Sequence, residues 1–204
     1  MKYCKRLLIG ILIISSYTSH SQINRVLFDD KKNEKQVLSS STESQTVYLG
    51  NQENANDWRI TNDGVMGGRS QGYITLKQDH GLFTGNISLD NNGGFSAMFT
   101  PIQALNKNTN KVTVNIQGDG QTYQLRMIMY INGYRISYNK AVATRKGIRQ
   151  SITYQLSEFV ATFRGRNIPN APKLTAEKIR EIGVLMTKKK AGPFSIAIYE
   201  ISFN

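Results

Sequence analysis

The side chains that most often carry nucleophilic or acid-base catalysis are scarce in this sequence. It contains two histidines, His20 and His80, and Cys4 is its single cysteine. His80 lies in Asp-His-Gly, which is typical of a turn, whereas His20 and Cys4 belong to an amino-terminal segment that we expect to be removed. Covalent catalysis needs a nucleophile beside a base, and a transition-metal site needs several nitrogen or sulfur ligands. The sequence therefore predicts that the protein is not an enzyme and has no catalytic residue, metal or cofactor.

Carboxylates offer alternatives that the residues support only weakly. Asp63 and Asp119 are candidates for the acid and base of a glycoside hydrolase, but each lies beside glycine in a turn, where aspartate is expected for structural reasons. Calcium needs several oxygen ligands. Residues 90–92, Asp-Asn-Asn, offer some at a loop end and are better placed than Asp29 and Asp30.

Nucleotides and nucleic acids are not predicted as ligands. Gly64, Gly67 and Gly68 form neither a P-loop nor a dinucleotide-binding fingerprint. A platform for single-stranded nucleic acid needs aromatic side chains among the basic ones. The basic part of this chain lacks that interleaving.

What remains is a set of side chains suited to binding. Flat aromatic faces combined with guanidinium donors suit protein hot spots, and they equally suit stacking and hydrogen bonding with sugars. In the alternative, structural interpretation, Trp58 and Phe95 belong to the core and Arg126 and Arg164 tie loops to carbonyls. The candidate binding residues are Trp58, Asn62, Asp63, Met66, Arg69, Asn92, Phe95, Tyr123, Arg126, Arg164 and Arg166.

Most of these candidates lie in three glycine-rich stretches. Residues 58–70 read W-R-I-T-N-D-G-V-M-G-G-R-S, residues 89–97 read L-D-N-N-G-G-F-S-A, and residues 163–172 read F-R-G-R-N-I-P-N-A-P. Glycine and asparagine permit backbone angles that other residues avoid. Because loops gather at the ends of a sandwich, we expect the three stretches to pack together as one polar surface.

The pattern of these stretches resembles the complex I intermediate-associated protein family, whose mitochondrial members are assembly factors for the respiratory NADH dehydrogenase. The resemblance covers about residues 46–204 and implies a galactose-binding-like jelly-roll β-sandwich, an all-β fold. It also implies a non-enzymatic assembly-factor or chaperone-like role, in protein complex assembly or in binding unfolded protein. Many relatives have a tryptophan after the central hairpin, where residues 144–147 of this chain have none. The matching residues are Trp58, residues 62–70, 83–89 and 92–95, residues 118–120, Tyr123, Leu125, Arg126, residues 163–166, Pro172, Ile182, Gly183 and residues 192–194.

A second function stays open at this point. The fold equally suits a carbohydrate-binding module for envelope or environmental glycans, although the sequence has no long row of aromatic residues for stacking on sugars. We therefore expect the partner to be a protein or a glycan, with an anionic character that follows from the charge of the chain.

The amino terminus has the features of a secretory signal peptide. Lys2, Lys5 and Arg6 precede an apolar run at residues 7–14, and small residues follow at Ser19 and Ser21. We expect residues 1–21 to be removed, residues 22–45 to form a polar linker, and residues 46–204 to form a single domain. The mature protein would then be exported, periplasmic or secreted, and without a transmembrane segment. The alternative is a retained membrane anchor.

The positive charge is concentrated in the second half of the chain. The formal net charge is +12, and residues 135–190 hold thirteen basic residues against three glutamates. Residues 22–134 contain ten of each sign. A one-sided field favours anionic partners, while the alternative is a protein that is merely basic.

Apolar and polar residues alternate along most of residues 47–204, which predicts half-buried strands. Asn132-Gly133 predicts a two-residue hairpin that pairs residues 123–131 with residues 134–142, and residues 118–120 suggest another tight connection of the same kind. The apolar phase slips in residues 194–203, which predicts a β-bulge near Tyr199 and Glu200. A short helix is expected at residues 175–181, and one helical turn at residues 156–159.

Overall fold

Two antiparallel β-sheets pack face to face and share one core. The computed structural model describes residues 44–50, 57–188 and 190–204. All of them belong to the compact unit Glu43–Asn204. The predicted signal peptide and residues 22–43 of the predicted linker lie outside the described residues, and β1 begins at Gln45, the last residue assigned to that linker.

The smaller sheet has six strands, and the larger sheet has seven. In the smaller sheet the order is β3-β4-β13-β6-β9, with β1 also pairing with β13. Its strands are β1 Gln45–Tyr48, β3 Gln71–Leu76, β4 Gly81–Ile87, β6 Lys111–Gly118, β9 Arg149–Gln155 and β13 Gly192–Phe203. The order of the larger sheet is β11-β10-β8-β7-β12-β5-β2. Its strands are β2 Arg59–Asn62, β5 Phe95–Pro101, β7 Thr122–Ile131, β8 Tyr134–Ala143, β10 Val160–Phe163, β11 Arg166–Asn167 and β12 Glu181–Thr187.

The core lies between the sheets because one face of each strand is apolar. In β7 the odd-numbered residues from Tyr123 to Met129 are buried, and in β6 the even-numbered residues from Val112 to Ile116 are buried. Burial of apolar surface is the main term that favours folding. Phe83 and Phe194 meet edge to face across β4 and β13, with ring centroids 4.8 Å apart.

Two sequence predictions about local geometry are confirmed. Ile131 pairs with Tyr134, and the two turn residues between them have positive φ, 51° at Asn132 and 80° at Gly133. The register of β13 against β6 shifts between Ile198 and Glu200. This bulge turns the apolar residues on both sides of it into the core.

Two other local predictions are wrong. Residues 118–120 do not close a hairpin, because β6 and β7 belong to different sheets and the connection crosses between them. Residues 175–181 do not form an α-helix. Only Ala176–Lys178 form a 3₁₀ turn, and Glu181 already pairs with Pro101 and Ile128. So short a helix is marginal, and strand pairing prevails.

The helical segments that lie wholly within the described residues are four short 3₁₀ turns, and Asp57 ends a further 3₁₀ segment. The four turns are Asp63–Met66, Asp90–Asn92, Leu156–Glu158 and Ala176–Lys178. The third of these confirms the helical turn expected near residue 156. Within the described part of the chain, no helix has the length and apolar character required to cross a membrane.

Candidate functional site

The first two glycine-rich stretches meet, and Asp63 joins them. Its carboxylate is fully buried. One oxygen accepts a hydrogen bond from the backbone N–H of Ser70 at 2.9 Å. The other oxygen accepts from the N–H groups of Gly94 at 2.6 Å and Phe95 at 3.2 Å. Asp63 therefore fixes the loop after β2 against the loop before β5.

Further contacts hold these two loops together, as the sequence predicted. The Asn91 amide donates to the Gly67 carbonyl at 2.9 Å, and Ser96 Oγ donates to Asn62 Oδ1 at 2.7 Å. A Cβ atom at Gly93 would lie 2.6 Å from Asp63 Oδ2. Glycine is needed there because the carboxylate occupies the space of a side chain.

The lowered pKa of the Asp63 carboxyl agrees with a structural role. Burial alone would raise the pKa of this carboxyl. The hydrogen bonds from Ser70, Gly94 and Phe95 outweigh burial and hold the pKa below its ordinary value. A general acid would instead need a raised pKa.

The third glycine-rich stretch lies elsewhere, so the prediction of one surface made by all three is wrong. Arg164 and Gly165, both with positive φ, form the turn between β10 and β11. These strands are at the edge of the larger sheet opposite to β2. The turn also lies near the β7–β8 hairpin, because the Phe163 and Tyr134 rings meet at 5.9 Å. Strand order decides this separation, and residue spacing along the chain does not encode it.

The other predicted binding residues divide into buried and exposed groups. Trp58 and Tyr123 belong to the core, where burial raises the pKa of the Tyr123 hydroxyl. Met66, Arg69 and Asn92 are exposed on the two joined loops. Half-buried Phe95 lies beside them, Arg126 is half-buried on a sheet, and Arg164 and Arg166 are exposed. A binding role for any of these residues stays a prediction.

A charged cluster covers the outer face of the larger sheet, and most of it was not singled out from the sequence. Because odd-numbered residues of β7 face the core, Arg126 and Tyr130 point outward. Strand pairing then aligns Arg59, Phe99, Gly183 and Arg126 in one row across four strands. We call the outward-facing residues Arg59, Phe99, Arg126, Tyr130, Arg135 and Glu181 the arginine face.

Glu181 lies at the centre of the arginine face and is almost fully buried. It accepts hydrogen bonds from Arg135 Nη2 at 2.8 Å and from the Tyr130 hydroxyl at 2.8 Å, and Arg59 also binds it. Burial would raise the pKa of Glu181, but the bonds from Arg135, Tyr130 and Arg59 lower it below its ordinary value. The hydrogen bond with Glu181 raises the pKa of the Tyr130 hydroxyl, and burial is the second cause of this shift. Glu181 therefore stays ionised and holds two arginines that come from opposite sides of β12.

Phe99 fills the space that the missing side chain of Gly183 leaves. A Cβ atom at Gly183 would collide with the Phe99 ring. The guanidinium carbons of Arg135 and Arg59 lie 4.4 Å and 5.6 Å from the ring centroid, within cation–π distance. Only 4% of Phe99 is exposed, so its ring is not available for stacking on a ligand.

Among the described residues, Arg126 is the arginine of this face without an acidic partner. Its Nε and Nη2 atoms both donate to Gln124 Oε1, at 3.3 Å and 2.8 Å. No carboxylate of the described residues lies within 4.0 Å of its guanidinium nitrogens. Burial lowers the pKa of Arg126 to about 10, and the nearby charge of Arg135 contributes to this shift. The arginine face thus holds three guanidinium groups and one carboxylate.

Two of the depressions that adjoin the sandwich differ in charge. One, of about 610 Å³, continues the arginine face and is lined by Pro101, Tyr130, Lys178, Arg180 and Glu181. It adds two cations to the same surface. The other, of about 430 Å³, is lined by apolar and uncharged side chains near the β7–β8 turn, among them Ile131, Tyr134 and Phe163. It therefore contributes nothing to the charge excess.

The described residues include no group of three or more His, Cys, Asp or Glu side chains that are placed to hold a metal ion. In the loop at residues 90–92, the Asp90 carboxylate lies 3.8 Å from Arg69. A cation of the adjoining loop therefore lies beside this carboxylate.

Comparison with known proteins identifies the family. The family model described as complex I intermediate-associated protein 30 matches residues 47–198. The chain therefore belongs to this family, as the sequence resemblance indicated. No curated protein matches the chain.

Solved structures identify the fold. The family 11 carbohydrate-binding module of the cellulosomal cellulase Lic26A-Cel5E of Clostridium thermocellum has a TM-score of 0.60 and 13% identity, over 80% of this chain and 95% of that chain. The family 11 module from Clostridium thermocellum in complex with a β-1,3-1,4-mixed-linked tetrasaccharide has a TM-score of 0.58 and 14% identity, over 79% and 96%. These similarities establish the all-β, jelly-roll sandwich fold that the sequence predicted.

Proposed function

We propose that this protein is a non-catalytic binding protein of the assembly-factor type, and that it binds an acidic protein partner through the arginine face. The family supports a role in association with other proteins. The observation that carries the proposal is the presence of three clustered guanidinium groups with a single carboxylate among them. Arginine is, with tryptophan and tyrosine, enriched among the desolvated residues that contribute most to protein binding.

We further propose that the protein acts after export, in the periplasm or outside the cell. The basic and apolar segments of residues 1–21 support this location. Its partner is then an envelope or secreted protein. The respiratory NADH dehydrogenase is a poor match, because we expect that enzyme to be assembled on the other side of the membrane.

Site-specific photo-crosslinking tests which face binds the partner. A photoreactive phenylalanine analogue is introduced at Tyr130 on the arginine face or at Tyr73 on the outer face of the smaller sheet. The two tyrosines form a matched pair, because Tyr130 is 53% exposed and Tyr73 is 57% exposed. We expect protein adducts from position 130 only, identified by mass spectrometry. Equal adducts from both positions, or none from position 130, would contradict the proposed surface.

A glycan partner is the second candidate. It is favoured by the exposed Tyr130 ring, which lies beside the Glu181 carboxylate and the depression of about 610 Å³. A ring for stacking beside polar groups suits sugar binding. In this case electrophoretic migration through a gel that contains mixed-linked β-glucan would be slowed. Tyr130→Ala would restore normal migration and Tyr73→Ala would not, whereas the protein-binding role predicts no retardation.

A further inference from the structure

Two N–H donors on one edge of the Arg126 guanidinium, which we call the Arg126 fork, have the geometry that binds a carboxylate. In this structure they bind a neutral atom instead. The Nε and Nη2 donors of one guanidinium edge match the two oxygens of a carboxylate. Here both converge on the single amide oxygen of Gln124. Gln124 and Arg126 are two residues apart on β7, so both side chains point outward.

The environment of the fork makes this neutral partner insufficient. Arg126 is half-buried, and the charge that acts on it is that of Arg135, which is also positive. Glu181, the carboxylate of this face, already accepts bonds from Arg59, Tyr130 and Arg135. A partly desolvated cation without a counter-charge is costly, and an incoming anion would remove that cost.

We propose that the Arg126 fork is the subsite for an aspartate or glutamate side chain of the protein partner, and that Gln124 is a placeholder which this carboxylate displaces. This inference rests on the proposed function and names the chemistry that the partner must supply. Arg135 contributes a second positive charge beside the subsite. Glu181 keeps Arg135 in position without neutralising Arg126.

The cross-strand row that contains the fork favours a polypeptide over an acidic glycan, because the exposed ring of this face, Tyr130, lies four residues further along β7. A glycan chain gains affinity by stacking on exposed aromatic rings. The ring in the same cross-strand row as Arg126 is Phe99, which lies against two guanidinium groups and is buried. Protein hot spots instead use desolvated arginines surrounded by packed contacts that exclude water.

The test places the carboxylate inside the protein. Gln124→Glu puts an internal anion on the fork and leaves the side-chain length unchanged. Gln71→Glu is the matched control, because it adds the same charge on the outer face of the smaller sheet, where the amide oxygen only accepts from Tyr73. Binding of poly-L-glutamate to the purified protein is measured by calorimetry at low ionic strength.

We expect Gln124→Glu to weaken poly-L-glutamate binding by about tenfold or more, the effect of losing one charged hydrogen-bonded pair. Gln71→Glu should change it by less than about twofold, because an exposed charge on the other sheet acts weakly. Gln124→Glu should also raise the melting temperature, since the fork then has its counter-charge. Arg126→Lys should weaken binding as well, because lysine keeps the charge but not the fork.

Several results would overturn the inference. They are a wild-type protein that does not bind poly-L-glutamate, a Gln124→Glu protein that binds as tightly as wild type, and an equal loss in Gln71→Glu. Tighter binding of polygalacturonate, with the same loss in Gln124→Glu, would assign the fork to an acidic glycan instead. If position 130 crosslinks a protein while Gln124→Glu binds normally, the proposed function stands and the subsite is wrong.

Discussion

Asp63 and Glu181 are both buried carboxylates, and their hydrogen-bond partners give them different roles. Asp63 accepts from backbone N–H groups of two loops, so it fixes the path of the chain. Glu181 accepts from arginine and tyrosine side chains, so it fixes the positions of side chains that point to solvent. The first carboxylate therefore supports the fold, and the second supports a surface.

Replacement of Asp63 by alanine should destabilise the protein without changing the arginine face. It leaves the N–H groups of Ser70, Gly94 and Phe95 without their acceptor, and a buried donor without a partner costs about 1–3 kcal/mol. We expect the free energy of unfolding, measured by urea denaturation, to fall by about 3 kcal/mol. Asp90→Ala is the control, because Asp90 is exposed and 3.8 Å from its cation. A smaller loss in Asp63→Ala than in Asp90→Ala would contradict this role.

The same substitution should alter the response to acid. The lowered pKa of Asp63 means that the folded state favours the ionised carboxyl. Its stabilising contribution is complete above the ordinary range of aspartate, near pH 4, and is lost as the pH falls towards the lowered pKa. We therefore expect the stability of the wild type to fall more steeply below about pH 4 than that of Asp63→Ala.

Residue types alone indicated part of the site. Arg126 was singled out from the sequence as a guanidinium donor in a set of aromatic and arginine side chains suited to binding. Arg59, Arg135 and Glu181 belong to strands that are far apart in the sequence and meet only through strand order. The sequence does show each of these charged residues next to or within an apolar strand. It does not show which other charged residue will lie beside it in the sheet.

At the scale of the elements, the hairpin, the bulge and the turn near residue 156 were predicted correctly, whereas the helix at residues 175–181 and the connection at residues 118–120 were not. The Asn132-Gly133 hairpin and the bulge in β13 follow from turn chemistry and from the phase of apolar residues. The crossing at residues 118–120 has the same turn composition as a hairpin. Only packing of the two sheets decides between them. Placement of the Arg164 turn, far from the Asp63 loops, has the same cause.

The turn of the β7–β8 hairpin gives a clean test of backbone strain. A Cβ atom at Gly133 meets no neighbour within 4 Å, but its φ is 80°, whereas Gly64 has equally open space without a positive φ. We expect Gly133→Ala to lower the free energy of unfolding by about 1–2 kcal/mol, the cost of the left-handed conformation. Gly64→Ala should be neutral or stabilising by up to about 1 kcal/mol. Thermal or urea denaturation that gives equal effects would contradict this assignment.

At the scale of the whole molecule, charge is the property that best connects the sequence with the proposed function. The formal net charge is +12, and it would be +9 without Lys2, Lys5 and Arg6 of the proposed signal peptide. The remaining excess lies in residues 135–190, which supply Arg135, Lys178 and Arg180 to the arginine face and the depression beside it. Such a field speeds association with acidic partners.

Processing of the chain tests its proposed export. We expect the exported protein to begin at or near Gln22, because a basic segment and an apolar segment precede small residues at a cleavage position. Intact-mass measurement of the protein recovered outside the cytoplasm checks this. Leu12→Lys, which interrupts the apolar run, should leave the protein inside and unprocessed. Exported protein that keeps Lys5 and Arg6 would contradict the prediction.

The position of β13 in the smaller sheet also limits when the protein can fold. β13 is the last of the described strands, yet it pairs with β1, β4 and β6, and Phe203 lies opposite Gln45. During synthesis β1, β4 and β6 are all made before β13, the strand with which each of them pairs. Pairing over such long sequence separations is slow. The smaller sheet therefore cannot be completed until Gly192–Phe203 has been synthesised, although β3 can pair with β4 and β6 with β9 before then.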